Sequence, residues 1–292
     1  MRRSNRTAII LALLVVLFWS GAATAFKKAF CFGSPWLVVF LSVTISTVVF
    51  GIAFIIKRYR FNKSDFVAGV YLGFLNPFLY YLVLLTAYSG LPAQIAMVVN
   101  YLWPVILVLL SIPFLGEKLQ LGGVAGILLS FFGVAFLALM GRHSFEIKPF
   151  YLILAFCSTF IWSIYWLLNT RNSGKAISVL FWTFTFGSFY LAIYGFVSKS
   201  EQFSLSRSQF LQILPWVLYI GILEMGLTYI MWNTALKWAS RTSVVSGMIF
   251  FTPFLALVFI GFVVGEPISP FTVIGLLLVV GGIFLEKRFR LQ

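Results

Sequence analysis

Ten apolar segments, each long enough to cross a lipid bilayer as a helix, dominate the sequence. A membrane-spanning α-helix needs about 20 predominantly apolar residues, whereas the strands of a membrane barrel are about half as long and alternate in polarity. The segments show no such alternation. The chain is therefore predicted to be an all-α membrane protein with ten transmembrane helices, at about residues 7–26, 34–56, 66–87, 91–114, 120–141, 150–169, 176–198, 210–234, 241–264 and 269–286.

The composition excludes most classes of soluble protein. Of the 292 residues, 61% are hydrophobic and 10% are charged, whereas an ordinary soluble domain has about 25% charged residues. One His, two Cys and seven acidic residues are too few for a metal centre or an acid–base site, so we expect no cofactor, no metal and no enzyme activity. The net charge of +14 is scattered in short clusters between the apolar segments, so the expected partner is the lipid bilayer and not nucleic acid.

The basic residues also predict the orientation of the helices. The first segment follows a cluster of Arg residues and contains the cleavage-like Ala23-Thr24-Ala25. Its apolar core is longer than that of a signal peptide, so we interpret it as a retained helix. With a cytoplasmic N-terminus, 15 of the 21 Lys and Arg residues fall on the cytoplasmic side. Because positive charge concentrates on that side of membrane proteins, both termini are predicted to be cytoplasmic.

The sequence contains two copies of a five-helix unit, predicted to comprise residues 1–145 and 146–292. Tyr71-Leu72-Gly73 recurs 148 residues later as Tyr219-Ile220-Gly221, and Trp19-Ser20 recurs 143 residues later as Trp162-Ser163. The motifs that recur 149 residues later are Pro104, Gly116-Glu117, Gly126 and Gly133, as Pro253, Gly265-Glu266, Gly275 and Gly282. Because five is odd, the second copy is expected to be inverted in the membrane. Inverted repeats are typical of alternating-access transporters, and a channel built from duplicated units is the alternative.

Short motifs at corresponding places in the two halves resemble those of a known family. They are Phe18-Trp19-Ser20-Gly21, Ile161-Trp162-Ser163, Phe114-Leu115-Gly116-Glu117-Lys118 and Val263-Val264-Gly265-Glu266-Pro267. With the duplicated ten-helix layout, they resemble the EamA-type members of the drug/metabolite transporter superfamily over essentially the whole chain. Within that superfamily, Val99-Asn100-Tyr101-Leu102-Trp103-Pro104 and Phe251-Thr252-Pro253 are similar to the bacterial aromatic amino acid exporters.

This resemblance implies a carrier of small metabolites, such as amino acids, in a bacterial inner membrane. It also implies a central cavity lined by helices 1, 3, 4, 6, 8 and 9. No cofactor and no ATPase domain are implied.

Glu224 is the acidic residue most indicative of function, because it alone of the seven lies in the middle of a predicted span. A charge at mid-bilayer costs about 2.5–3.5 kcal/mol on insertion scales, so it should face a cavity or pair with another group. Its repeat mate, the corresponding residue of the other repeat, is Asn76. Glu224 either binds a substrate amine or carries a coupling proton, or it is a structural group hydrogen-bonded to Asn76 or Asn233. Tyr80 and Thr228 are further substrate-binding candidates.

Other candidates lie on helices 1, 4, 6 and 9, where residues three and four apart share a face. They are Trp19, Trp162, Gln94, Met97, Asn100, Tyr101, Ser243, Ser246 and Phe250. The alternative is that these residues only pack the helices or join them by hydrogen bonds. Trp103 is interpreted as a packing or interfacial residue, and Pro104 and Pro253 as symmetric helix breaks.

The sequence therefore predicts a multi-pass secondary transporter of the bacterial inner membrane that works by alternating access. Export of an amino acid or a derivative is the preferred interpretation. The alternatives are a proton-coupled exporter of organic cations or drugs and a passive channel. The expected partners are a small-molecule substrate, the lipid bilayer and, as a candidate coupling ion, the proton. A monomer suffices for this function, and a dimer is left open.

Overall fold

The computed structural model of the protein describes residues 5–116, 121–140, 145–170, 174–198, 205–240, 245 and 247–290. These residues form ten apolar helices and, among themselves, no β-strand. Nine of the helices are long and apolar enough to cross a membrane, and the tenth, α9, is shorter. The helices are α1 Asn5–Phe30, α2 Pro35–Ile56, α3 Lys63–Gly90, α4 Ala93–Phe114, α5 Leu121–Met140, α6 Pro149–Asn169, α7 Ala176–Val197, α8 Arg207–Trp238, α9 Met248–Val264 and α10 Pro270–Phe289. The prediction of an all-helical membrane fold is confirmed.

Local sequence sets where several helices begin and end. The side chain of Asn62 accepts hydrogen bonds from the backbone N–H groups of Ser64 and Asp65 and so caps the start of α3. Gly116 and Gly265 follow the ends of α4 and α9 with φ of 71° and 79°. Glycine adopts this left-handed conformation without steric cost. The backbone therefore explains the glycine in both repeated Gly-Glu motifs.

α3 and α8 widen at corresponding positions. Both adopt π-helical hydrogen bonding, over Phe74–Leu79 in α3 and over Tyr219–Leu227 in α8. Asn76 lies in the first widened turn, with a non-helical φ of −147° and ψ of 121°, and Glu224 lies in the second. Such turns within α-helices are frequent at functional sites. They occur here at the depth of the two polar residues that the sequence singles out.

α4 and α9 are both interrupted just before a proline. In α4, a turn at Tyr101–Leu102 precedes the helical segment Trp103–Leu115. In α9, the 3₁₀ turn Met248–Phe251 precedes the helical segment Thr252–Phe259. Pro104 and Pro253 occupy the first turn of these segments, where the missing N–H removes no helical hydrogen bond. The predicted pair of helix breaks is confirmed.

α5 and α10 cross in close contact through four glycines. A Cβ atom on Gly126 would lie 2.5 Å from the carbonyl oxygen of Gly282, and one on Gly282 would lie 2.4 Å from that of Gly126. A Cβ atom on Gly133 would lie 2.9 Å from the carbonyl oxygen of Gly275. The two helices therefore run antiparallel and approach so closely that only glycine fits at the crossing.

The two halves of the chain interlock. α1 packs against α8 and α9 of the second half, and α6 packs against α3 and α4 of the first half. In the same way, α2 contacts α8, and α7 contacts α3. The contact of α3 with α7 is close because a Cβ atom on Gly73 would lie 2.4 Å from the carbonyl oxygen of Thr183. The middle of the bundle is thus enclosed by helices from both halves.

Candidate functional site

A cavity of about 160 Å³ lies between the two halves. One water needs roughly 10–15 Å³ of such space, so the cavity has room for on the order of ten waters or one small organic molecule. Its walls come from α1, α3, α4, α6, α8 and α9, the six helices that the family resemblance implies. The lining residues are Trp19, Ala22, Ala23, Phe26, Tyr80, Tyr81, Leu84, Tyr88, Met97, Asn100, Tyr101, Trp103, Trp162, Trp166, Glu224, Tyr229, Trp232, Ile249, Thr252 and Ala256.

Aromatic rings form most of the cavity wall. Eleven of the twenty lining residues are Trp, Tyr or Phe. The ring of Trp162 stacks on that of Tyr80, with 4.5 Å between centroids and 30° between planes. Trp19 meets Tyr229 edge to face, with 6.4 Å between centroids. The wall therefore offers flat apolar faces to a bound molecule, and the negative faces of these rings attract cations.

Glu224 is the one charged side chain among the described residues that line the cavity. It is 7% exposed, and its Oε1 accepts a hydrogen bond of 3.0 Å from the hydroxyl of Tyr81. Its Oε2 has no hydrogen-bond partner among the described residues. Because an unpartnered buried polar group is costly, this oxygen is the natural acceptor for a proton or for a ligand N–H group.

The main chain at Glu224 is held by two other predicted site residues. The indole N–H of Trp19 donates to the carbonyl oxygen of Glu224 at 3.1 Å. The hydroxyl of Thr228 donates to the same oxygen. Trp19 therefore ties α1 of the first half to α8 of the second half at the level of the carboxylate, while Thr228 acts behind the wall and does not line the cavity.

Asn76 also lies behind the wall. It is fully buried, and its Nδ2 donates to the hydroxyl of Tyr229 at 3.4 Å. Asn233 donates to the backbone carbonyl of Tyr229 in its own helix. The sequence-based alternative that Asn76 or Asn233 binds the Glu224 carboxyl group is therefore corrected, because the observed donor is Tyr81.

The structure brings seven of the thirteen predicted site residues together on the cavity wall. They are Trp19, Tyr80, Met97, Asn100, Tyr101, Trp162 and Glu224. Within this group the hydroxyl of Tyr80 donates to Oδ1 of Asn100 at 3.3 Å, and Nδ2 of Asn100 donates to Oγ of Ser158 at 3.0 Å. These bonds join α3, α4 and α6. Ser243 and Ser246 lie outside the described residues.

Phe250 does not line the cavity. Its ring packs on that of Phe284, with 5.0 Å between centroids, and the ammonium group of Lys287 lies 5.8 Å from its centroid. The prediction assumed the 3.6-residue period of an α-helix, but Phe250 lies in the 3₁₀ turn, where side chains recur every three residues. Ile249 and Thr252 reach the cavity instead.

Gln94 is engaged at the end of the bundle where α4 begins and does not reach the cavity. Its Nε2 donates to Oε1 of Glu266 at 2.8 Å and to the carbonyl oxygen of Pro267 at 2.9 Å. The backbone N–H of Ala93 donates to Oε2 of Glu266 at 2.9 Å. A carboxylate is favoured at a helix N-terminus by the unpaired N–H groups there. Glu266 therefore fastens the Gly-Glu turn of the second half to α4 of the first half.

Several lining residues are not among the sequence-based candidates. Trp103, which the sequence predicts to be a packing or interfacial residue, lines the cavity. Its ring meets that of Trp162 edge to face, with 6.4 Å between centroids. Tyr81 and Tyr229 are the other important additions. Both were visible as repeat mates 148 residues apart, one turn beyond Asn76 and Glu224. The same spacing could have identified them as site residues.

The chain matches one protein family and several individual proteins from bacteria. The model of the EamA-like transporter family matches the chain twice, over residues 6–139 and 149–286. The uncharacterized transporter YvbV of Bacillus subtilis (strain 168) is 26% identical over 285 residues, which is 96% of this chain and 91% of that protein. The aromatic amino acid exporter YddG of Escherichia coli (strain K12) is 27% identical over 64% of each chain. The YddG of Ancylobacter novellus is 31% identical over 58% of this chain and 60% of its own.

One solved crystal structure superposes on this protein with a TM-score of 0.65. The superposition covers 98% of this chain and 98% of the other, at 24% sequence identity. The two proteins therefore share a fold over their whole lengths.

Proposed function

Because the chain belongs to the EamA-like transporter family and is a multi-pass membrane protein, we propose that it is a secondary transporter of small amine-bearing molecules. The proposed substrate site is the cavity between the two halves. The observation that carries this proposal is the carboxyl group of Glu224, which faces an aromatic cavity with one oxygen unpartnered among the described residues. An ammonium group fits that oxygen, and an aromatic or aliphatic body fits the rings around it.

Reciprocal glycine contacts support an inverted arrangement of two repeats, residues 1–145 and 146–292. Gly126 and Gly133 correspond by the repeat to Gly275 and Gly282. Gly126 contacts the mate of Gly133, and Gly133 contacts the mate of Gly126. Reciprocity of this kind is the signature of a two-fold axis, and between antiparallel helices that axis is perpendicular to them. In a transmembrane bundle it lies in the membrane plane, which is the symmetry of alternating-access transporters with inverted repeats.

The contacts of Glu266 support the proposal that the bundle is closed at the end where α4 begins. We propose that the cavity opens at that end when the hydrogen bonds that Ala93 and Gln94 donate to Glu266 break. In the predicted orientation this is the outer end. Glu117, the repeat mate of Glu266, lies outside the described residues.

Glu224 also suits coupling to protons. A single carboxylate binds either a proton or an ammonium ion at one time, so each outward step with substrate can be exchanged for an inward step with a proton. We propose this exchange as the means by which the bacterial inner-membrane proton gradient drives export.

Amino acids or their derivatives are the first substrate class, because the two YddG relatives are aromatic amino acid exporters. A stacked pair such as Trp162 and Tyr80 suits an aromatic side chain. Organic cations are the second class, and a specific feature favours them. No Lys or Arg occurs among the described lining residues, so the cavity supplies a partner for an amine but none of opposite charge for a carboxylate.

A thermal-stability panel on the purified protein tests the substrate class. The probes are tryptophan, tryptamine and indole-3-acetate, which share one ring and differ in their charged groups. A ligand present at about 100 times its Kd stabilises the folded state by about 2.7 kcal/mol. Tryptamine is expected to raise the unfolding temperature, and indole-3-acetate is not. Stabilisation by tryptophan as well would favour amino acids as substrates, and its absence would favour organic cations. Stabilisation by the acid alone would contradict recognition of an amine.

Fusion reporters test the proposed orientation. Reporters placed near Lys57–Lys63, Lys175 and Lys237 are expected to read cytoplasmic, because positive charge concentrates on that side. Reporters in the segments 142–148 and 199–207 are expected to read outside. A cytoplasmic reading in the 142–148 segment would contradict the inverted five-plus-five arrangement.

A further inference from the structure

A second cavity, of about 570 Å³, lies at the end of the bundle where α2 ends and α3 and α7 begin. Unlike the central cavity, it is lined mainly by polar and charged residues. The important ones are Arg58, Arg60, Asn62, Asp65, Lys175 and Ser178. None of them lines the central cavity, and the family resemblance gives none of them a role.

The charges of this cavity favour an anion. Arg58, Arg60 and Lys175 supply three positive charges, and Asp65 supplies one negative charge, which leaves two positive charges in excess. Arg58 has a φ of 51°, a conformation that is uncommon for residues other than glycine. The loop between α2 and α3 and the start of α7 therefore line the same cavity.

Two further features supply unused hydrogen-bond donors. The first feature is the start of α7, whose first backbone N–H groups have no partner within the helix. α7 begins directly after Lys175, and the side chain of Lys175 does not cap these groups. The hydroxyl of Ser178, in that same turn, is 1% exposed and has no hydrogen-bond partner among the described residues. Asn62, by contrast, already caps the start of α3. A helix N-terminus beside arginines is a favourable site for a phosphate group.

The apolar residues beside the cavity indicate which kind of phosphate-bearing molecule fits it. Phe61, which lines the cavity, is 64% exposed, and Ile55 and Ile56 at the end of α2 are 74% and 71% exposed. This apolar surface suits acyl chains and has no use in binding a soluble phosphate. We propose that the cavity binds the phosphate headgroup of an anionic phospholipid, whose chains lie along the end of α2. Basic pockets at the membrane surface bind anionic headgroups in this way.

Lipid titration of the full-length protein by native mass spectrometry tests this site. The probes are phosphatidylglycerol and the zwitterionic phosphatidylethanolamine. The variant Arg58→Gly/Arg60→Ala removes two charges, and glycine suits the backbone conformation of Arg58. Two basic residues near a membrane surface predict a loss of about 30-fold in affinity for phosphatidylglycerol. The matched control, Lys148→Ala/Arg207→Ala, removes two charges from other loops and is expected to bind as the wild type does.

A second variant separates a built site from general charge attraction. Ser178→Ala leaves the net charge unchanged and is expected to weaken phosphatidylglycerol binding by about three- to ten-fold, the effect of one hydrogen bond. The proposal is overturned if both variants bind phosphatidylglycerol as the wild type does, or if the control variant loses as much affinity as the double variant. If inorganic phosphate by itself displaces the lipid, the proposal that the bound phosphate group belongs to a phospholipid is overturned, and the cavity is a site for soluble phosphate.

Discussion

Replacing Glu224 by glutamine is expected to abolish pH-dependent transport while leaving folding and insertion intact. Glutamine preserves the shape of the side chain, and its amide oxygen still accepts the hydrogen bond from Tyr81. It offers no negative charge to an ammonium group and no titratable proton, and the repeat mate Asn76 has no charge to replace it. A hydrogen bond to a charged group is worth about 1.5–3 kcal/mol, so the transport rate of an amine substrate should fall by about 10- to 100-fold.

The measurement is uptake of labelled tryptamine into reconstituted vesicles, with and without a pH gradient. Glu146→Gln is the matched control, because the side chain of Glu146 is 83% exposed beside Lys148 and does not line the cavity. Asn76→Ala is expected to have a smaller effect, on apparent affinity alone, since Asn76 lies behind the wall. An unchanged rate and pH response in Glu224→Gln would leave Glu224 as a structural hydrogen-bonding group.

Replacing Gly282 by alanine is expected to destabilise the folded protein. The new Cβ atom would lie 2.3 Å from Oγ of Ser130 and 2.4 Å from the carbonyl oxygen of Gly126. α5 and α10 would have to move apart, and overpacking of this kind costs about 1–3 kcal/mol. The midpoint of thermal unfolding in detergent should therefore fall by about 2–10 °C.

Gly281→Ala is the matched control for this prediction. A Cβ atom on Gly281 meets nothing within 4 Å. Alanine is preferred over glycine inside a helix by roughly 0.5–1 kcal/mol, so this neighbouring change should be neutral or stabilising. Equal unfolding temperatures for the two variants would contradict the glycine crossing, and with it the support for the two-fold axis.

Much of the helical layout and part of the site could be predicted because they depend on local pattern. Apolar segments of spanning length predict helices whatever their partners are. Trp19, Trp162 and Glu224 stood out because aromatic N–H and carboxyl groups are unusual in mid-membrane, where they need a partner or a cavity. All three line the cavity. The positions of Pro104 and Pro253 predicted the helix breaks because proline acts on its own backbone.

The remaining site residues depend on departures from regular helix geometry and on distant contacts. The 3₁₀ turn at Met248–Phe251 turns Phe250 toward α10, which a helical wheel does not foresee. Gln94 binds Glu266, which is 172 residues later in the chain. The π-helical turn around Glu224 leaves its carbonyl to Trp19 and Thr228 and brings its carboxyl group to Tyr81. These contacts arise from tertiary packing; the repeat spacing marks Tyr81 and Tyr229 as corresponding residues but does not show which groups they bind.

Counterflow in reconstituted vesicles tests the central proposal, alternating access at the Glu224 cavity, most directly. Vesicles are loaded with excess unlabelled tryptamine or tryptophan, and the initial uptake of the same labelled compound is compared with that of unloaded vesicles. A carrier returns to the outside faster with substrate bound, so we expect uptake that is saturable and accelerated several-fold by the internal substrate. In Glu224→Gln vesicles this accelerated uptake should be about 10- to 100-fold slower. Uptake by the wild type that rises linearly with concentration and ignores the internal substrate would contradict alternating access and identify a passive channel.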